Sequence, residues 1–448
     1  MRAPYWYTSL KPRAQLVFWV GLVTVGSVIV LALSWLLWGG WAGLYDEPAI
    51  RTTAALTTTG GIGGIVFLTV RFRTQAMSED EHEERRWSAV YELLASQDQF
   101  RRVTGVHQLL SLADSRPTIY GQRAVDALCE YLRVGRSDDG VVEQLITGTI
   151  RERFTADSES SWSACNLILS GARFTRPVDF SNCEFRGEAD FSDTHFCREV
   201  SFHASRFHLA ATFGGCKFDK YSDFSYGHFL QDAHFEDAVF SDQTSFEASH
   251  FHADAFFGSE QVEGAEPTIT FFGTAIFSMC HFNGEAWFGP SQDDEAHPDA
   301  TVPYNRTTAF YGDSNFQGAD FIRPCHFAQV HFYGRSLFDP RRQSKDRLKA
   351  DSITHFHELA DFEGARFLGT NTNFDHAVFL HPPSFKDAVS EGELSFDQSS
   401  PVFKPAFVGA IGPIEIGEDD RGQQKVTWAD GSSGGNHLRK RLEKKQQP

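Results

Sequence analysis

The chain has 448 residues and a formal net charge of −18, from 41 Lys and Arg against 59 Asp and Glu. That balance excludes a protein that binds nucleic acid along its whole length, which needs net positive charge for phosphate contacts. The 42 Phe exclude a disordered or collagen-like chain, because so much aromatic surface needs burial, and seven irregularly spaced Cys exclude a disulfide scaffold and suit a reducing compartment.

The first element is an uncharged stretch of 23 residues, 16–38, rich in Val, Leu, Ile, Phe and Trp. A helix of that length spans a hydrocarbon core of about 30 Å. It runs into Trp35, Trp38, Trp41 and Tyr45, the pattern of an interfacial aromatic belt. A second uncharged stretch covers 52–70, and Gly60-Gly61-Ile62-Gly63-Gly64 within it allows close approach of a neighbouring helix. The expectation is a transmembrane hairpin over residues 1–75, with spans at about 16–38 and 50–70. Arg2, Lys11 and Arg13 precede the first span, and Arg71 and Arg73 follow the second. The positive-inside rule then puts both termini in the cytoplasm of a multi-pass membrane protein, with the lipid bilayer as its first partner.

A helical connector is expected over 76–160. Ser78-Glu79-Asp80-Glu81 reads as a capping box opening a helix, and apolar residues recur at helical spacing from Phe100 to Leu112, Val125 to Leu132 and Val141 to Ile150. Breaks fall at Ser115-Arg116-Pro117 and at Ser137-Asp138-Asp139-Gly140. Such a unit serves as a docking platform, as a dimeriser that would make the chain a homo-oligomer, or as a cap on the next domain; the cap is the expectation.

From Phe174 the sequence becomes periodic. Phe recurs at 174, 180, 185, 191, 196, 202, 207, 213, 218, 224, 229, 235, 240, 246, 251 and 257, with intervals alternating 6 and 5. Two residues before each sits a small residue or Val, as in Ala172, Val178, Cys183 and Ala189. Residues i and i−2 of a strand share a face, so both point inward and the residue between them points out. Four sides of 5, 6, 5 and 6 residues make a 22-residue coil, and Phe180, Phe202, Phe224 and Phe246 then stack in one column, as do Phe185, Phe207, Phe229 and Phe251. The pattern resumes at Phe272, Phe277, Phe282 and Phe288, again from Phe310 to Phe338, and a last time from Phe356 to Phe396.

This pattern is similar to the pentapeptide-repeat family, whose small-x-Phe/Leu-x-x units build a right-handed, four-sided parallel β-helix. The resemblance implies a mixed architecture: a two-helix transmembrane hairpin, a short α-helical domain, then a pentapeptide-repeat solenoid over 161–410. Every second unit here carries one extra residue, which bears on the corners of the coil. The hairpin and helical unit resemble those of membrane-anchored bacterial members.

Three insertions interrupt the repeat, at 258–270, 289–308 and 339–355, where a solenoid carries surface loops. The third holds Arg341, Arg342, Lys345, Arg347 and Lys349, a candidate interaction surface. The tail, 411–448, is Gly-rich, ends basic and is expected to be disordered.

The sequence holds no nucleophile elbow, P-loop, His-Glu-x-x-His or dinucleotide fingerprint, so no catalytic residue, enzyme activity, small-molecule substrate, cofactor or metal is expected. In the pairs Cys280-His281 and Cys325-His326 the Cys points in and the His points out, so neither pair shares an ion. His228 and His250, 22 apart, are expected to stack on one outer face below Arg206. Residues 174–257 hold fourteen Asp and Glu against six Lys and Arg. The expected function is a non-enzymatic, membrane-tethered cytoplasmic scaffold that binds a protein partner and no nucleic acid. The alternative, implied by the resemblance, is a DNA-mimicking inhibitor of a type II topoisomerase; a third reading is a metal or pH sensor using His228 and His250.

Overall fold

The computed structural model describes Ile29, residues 83–134, 139–155, 161–258, 270–289, 308–340 and 353–396, and the backbone of strands at 342–344, 347–348, 414–418 and 424–428. The chain divides into two units, Met1–Tyr91 and Glu92–Pro448. In the first, residues 83–91 are helical. Apart from Ile29, the expected spans at 16–38 and 50–70 lie outside the described residues, as does the capping box at 78–81. Among the described residues no helix is long and apolar enough to cross a membrane.

The second unit opens with three helices: α1 (Gln99–Ser115), α2 (Pro117–Val134) and α3 (Gly140–Phe154). Asp98 starts α1 by accepting from the Phe100 N–H at 2.9 Å, satisfying one of the unpaired donors of the first turn. Val106, Leu109, Val125, Leu128, Val142, Ile146 and Ile150 form the bundle core. Phe100 and Val141, which the helical spacing includes, are exposed instead. A buried ion pair ties α1 to the start of α3: Arg102 meets Asp139 through Nε at 2.7 Å and Nη2 at 2.8 Å, and Tyr131 also donates to Asp139. Their opposite charges and the Nη2 bond offset their desolvation, although Nε is not aligned to donate.

The solenoid follows α3 directly. Parallel strands of two or three residues stack into four sheets, of eight, nine, nine and eight strands. Face I begins at Leu167–Ile168, face II at Arg173–Phe174, face III at Val178–Asp179 and face IV at Glu184–Phe185. Register follows the 22-residue coil: Leu167 pairs with Ala189, then Ala211, Ala233 and Ala255 in turn. The order of strands and their parallel pairing make this a right-handed β-helix after a short helical domain.

The Phe fill the interior. Phe202, Phe224 and Phe246 stack at 5.1 and 4.8 Å with rings within 7° of parallel, and Phe180 joins that column at 5.5 Å with a tilt of 44°. Phe185, Phe207, Phe229 and Phe251 form a second column at 4.8, 5.0 and 4.8 Å. Neighbouring columns meet edge to face, as Phe202 and Phe213 do at 81°. Face-to-face stacking within a column and edges between columns place positive ring edges against negative ring faces across the core.

The small residue two places earlier has its own chemistry. At several coils its donor reaches the carbonyl of the core residue 25 places before: Ser205 Oγ to Phe180 at 2.6 Å, Ser249 Oγ to Phe224 at 2.7 Å, Thr194 Oγ1 to Leu169 at 2.9 Å. The Cys216 and Cys280 thiols likewise reach the carbonyls of Phe191 and Phe246 at 2.8 Å. Ser, Thr and Cys are tolerated at these positions because the polar atom is satisfied, whereas the buried hydroxyls of Thr308, Ser314 and Ser336, also two places before a core Phe, make no hydrogen bond. Burial pushes the Cys183 thiol up to about 12, so it is inert as a nucleophile.

The 6 and 5 alternation is resolved at the corners. Within each five-residue step the chain turns through a left-handed residue two places past the Phe: Asn182 (φ 58°), Asp193 (56°), Ala204 (53°), Gly215 (68°), Tyr226 (57°), Asp237 (58°) and Ala248 (56°). The N–H that follows closes the turn, as Cys183 does on the Phe180 carbonyl at 3.3 Å. Among the described residues the six-residue corners hold no positive-φ residue; the extra residue widens the turn. All three insertions lie at five-residue corners. Residues 259–269 and 290–307 leave between faces I and II, and the basic insertion leaves between faces III and IV.

One register expectation is corrected. After the first insertion the core residue is Phe271, not Phe272: Phe271 pairs with Phe240, stacks on it at 4.7 Å and is buried, while Phe272 is 53 % exposed. The step from Phe271 to Phe277 restores a six-residue interval, as a strand entering face II requires.

Helix α3 covers the first coil. Phe154 packs on Phe185 at 5.4 Å, Thr155 bridges to Cys183, and the Glu143 carboxylate accepts from the Thr175 N–H (2.9 Å), the Thr175 hydroxyl (2.8 Å) and the Arg176 N–H (2.8 Å). A solenoid end exposes strand edges and core, and such a cap closes both. Within the tail expected to be disordered, Ile414–Glu418 and Gln424–Trp428 pair as an antiparallel ribbon.

Candidate interaction surface

With the Phe and small residues inside, the chemistry of the solenoid lies in the outward residues just before and after each Phe. These repeat every coil, so each face carries columns of side chains about 4.8 Å apart.

Face IV carries a histidine column. Arg206, His228, His250, His281, Asp320 and His355 occupy successive register positions. The His228 and His250 rings stack at 4.9 Å below Arg206, and His281 follows at 4.7 Å. His252, two residues after His250 and therefore on the same side of the strand, lies 5.9 Å from His228 and 6.2 Å from His250. Burial, then the neighbouring His281, His228 and His252, pull the His250 pKa down to about 4. Burial, then Arg206, lower that of His228. Both rings are neutral at pH 7. Below His281 the column meets Asp320, which lies 2.8 Å from His357 and 3.6 Å from His281.

Face II carries an aromatic column. Phe272, Tyr311 and Tyr333 stack at 5.3 and 4.6 Å, and are 53 %, 48 % and 41 % exposed. On face I, His234 stacks on Phe256 at 5.1 Å and Trp287 on His326 at 3.6 Å. Rings outside a filled core contribute little to holding the coil together. Exposed, pre-stacked aromatics are the residues that dominate protein interfaces.

Part of the acidic surface supports turns. Asp179, Asp190 and Asp223 each accept from the backbone N–H two residues on, at Ser181 (2.9 Å), Ser192 (2.9 Å) and Ser225 (3.0 Å). Asn315 and Asn373 do the same for Gln317 and Asp375. These residues precede a core residue on faces I and III, where the next corner is left-handed, and the Asx bond holds it. Other carboxylates are paired: Glu184 with His208 at 2.8 Å and Arg186 at 3.2 Å, and Asp313 with Arg335, whose guanidinium holds the Asp313 carboxyl below its usual range.

The residues singled out by sequence separate as follows. Phe180, Phe202, Phe224, Phe246, Phe185, Phe207, Phe229 and Phe251 are buried core. Cys280 and Cys325 point inward, with His281 and His326 outward. Of the basic set, Arg342 and Arg347 lie on two short antiparallel strands, Arg342–Ser344 and Arg347–Leu348, while Arg341, Lys345 and Lys349 lie outside the described residues. The basic tail residues Arg439 to Lys445 also lie outside them. Sequence reasoning missed His252 and His281, although His-x-His spacing marks the first and a Phe in register marks the second. It also missed the face II column, in which an insertion separates Phe272 from Tyr311 by 39 residues, while Tyr311 and Tyr333 lie one 22-residue coil apart.

No curated protein and no solved structure matches this chain. Residues 169–217 match a family model described as pentapeptide repeats (9 copies). Over those residues, the first coils of the β-helix, the chain is built of pentapeptide repeats.

Proposed function

We propose that the protein is a non-enzymatic scaffold whose β-helix binds a protein partner, tethered to a membrane through spans at 16–38 and 50–70 with both termini cytoplasmic. Pentapeptide-repeat proteins are generally protein-interaction scaffolds. The observation that carries the reading is the exposed column Phe272–Tyr311–Tyr333, three rings held in one plane of presentation by the coil. Side chains already ordered lose little entropy on binding, which favours them as anchors. The basic residues Arg341, Arg342, Lys345, Arg347 and Lys349 supply a second contact of opposite charge to the rod.

The test is affinity capture of the full-length chain from solubilised membranes beside the triple variant Phe272→Ser, Tyr311→Ser, Tyr333→Ser. A partner recovered with the native chain and lost with the variant supports the reading. Identical recovery from both, or no partner from either, removes it. Retention of the protein in alkali-washed membranes, and its release when residues 1–75 are deleted, tests the tether.

A second reading, inhibition of a type II topoisomerase by DNA mimicry, draws on the fourteen acidic residues of 174–257. The commitment of Asp179, Asp190 and Asp223 to turns weighs against it, since those oxygens are not free to replace phosphates. No inhibition of gyrase supercoiling by excess full-length protein would end that reading.

A further inference from the structure

Near the N-terminal end of face II, three metal-binding side chains share one outer patch. His195 and Cys197 flank the core residue Phe196, so both point outward, the arrangement that the Cys-His pairs at 280–281 and 325–326 lack. Asp219 follows Cys197 by one 22-residue coil and sits beneath it, its N–H bonded to the Phe196 carbonyl at 2.9 Å. The donor atoms of all three lie within 4.8 Å of one another, and His195 Nε2 is 2.8 Å from Asp219 Oδ2. The side chains of His195 and Asp219 are 24 % and 43 % exposed, so an ion reaches the patch without opening the core.

We propose that His195, Cys197 and Asp219 bind a zinc-class divalent ion, with the fourth position left to solvent. Zinc bonds of about 2.0–2.3 Å to N, S and O put tetrahedral donors about 3.3–3.8 Å apart, so rotamer adjustments of about 1 Å close the site. The mixed nitrogen, sulfur and oxygen set selects a borderline ion over Mg2+ or Ca2+, which take oxygen. Arg173 and Lys217 flank His195 in register above and below. Binding a dication with loss of the Cys197 proton takes the patch from −1 to 0, so the flanking cations face a neutral site and not a cationic one.

The protons balance as follows. Cys197 releases its proton to solvent as the thiolate binds. His195 binds through Nε2, now hydrogen-bonded to Asp219, so its proton moves to Nδ1. Arg173 faces Nδ1 as a donor and must swing away, which makes it a residue that opposes binding.

The experiment is titration of the purified full-length chain with Co2+, followed by displacement with Zn2+. The expected result is a near-ultraviolet thiolate-to-cobalt band that saturates at one ion and is erased by Zn2+. Cys197→Ser loses the band, and Cys165→Ser, at the other half-buried cysteine, keeps it. Asp219→Asn weakens binding about tenfold or more, and Arg173→Gln tightens it. No band in the native chain, or a band that survives Cys197→Ser, overturns the proposal. Weaker binding in Arg173→Gln overturns the assigned nitrogen.

Discussion

Truncating one ring in the middle of a column tests how the solenoid stands. Phe224 is 1 % exposed and stacks between Phe202 at 5.1 Å and Phe246 at 4.8 Å. It also meets Phe213, Phe218 and Phe235 edge-on at 5.2, 5.8 and 5.3 Å. Phe224→Ala removes the ring and leaves a cavity walled by five other rings, which cannot collapse without breaking register. The expected cost is about 3–5 kcal/mol. Phe224→Leu keeps most of the volume and loses the ring pairs, so about 1–2 kcal/mol is expected. The neighbouring pair Phe271 and Phe272 supplies the control. Phe271→Ala should cost as much as Phe224→Ala, while Phe272→Ala should stay within about 0.5 kcal/mol, as for other surface changes. The assay is denaturant unfolding of the full-length chain followed by circular dichroism. The comparison uses midpoints between variants, because a repeat array need not unfold in one step. Equal losses at Phe271 and Phe272, or a loss below about 1 kcal/mol at Phe224, would refute the stacked-core account.

The corners make opposite predictions for glycine. Ala248 sits at φ 56°, where its Cβ costs about 1–2 kcal/mol, so Ala248→Gly should raise the melting temperature after a smaller entropic loss of about 0.5–1 kcal/mol. Gly334 lies in the other kind of corner, where a Cβ would fall 2.2 Å from the Gly312 carbonyl oxygen; Gly334→Ala should lower the melting temperature. Acid should weaken the fold through His250, whose folded pKa of about 4 lies below its ordinary 6.5. The unfolded chain binds the proton more readily, so stability is full above pH 6.5 and falls as pH drops toward 4. Solvent screening of this half-exposed ring reduces the loss to about 1 kcal/mol. His250→Asn should flatten the pH dependence of the unfolding midpoint over that window, and an unchanged slope would remove His250 as its source.

What sequence reveals about this protein depends on whether register survives. From Phe174 to Phe257 the spacing never slips, so inward and outward positions, the two Phe columns and the stacking of His228 on His250 are all legible before any coordinates. The corners are only half legible. Asn182, Asp193, Asp237 and Gly215 advertise a left-handed turn, but Ala204, Tyr226, Ala248 and Met279 occupy the same conformation without that signal, because hydrogen bonds from both neighbouring coils impose it. Insertions erase register outright. Phe271 and Phe272 are equivalent by composition, and only the six-residue step to Phe277 separates core from surface. The same loss hides the stacking of Phe272 on Tyr311, which depends on knowing how many residues the loop removes from the count, whereas Tyr311 and Tyr333 lie one unbroken 22-residue coil apart. His195, Cys197 and Asp219 are the contrary case: steps of 2 and 22 within an unbroken stretch place all three on one patch by arithmetic alone. In a solenoid, then, a site is visible as a residue type at a multiple of the coil length, and a motif search that looks for fixed short spacings passes over it.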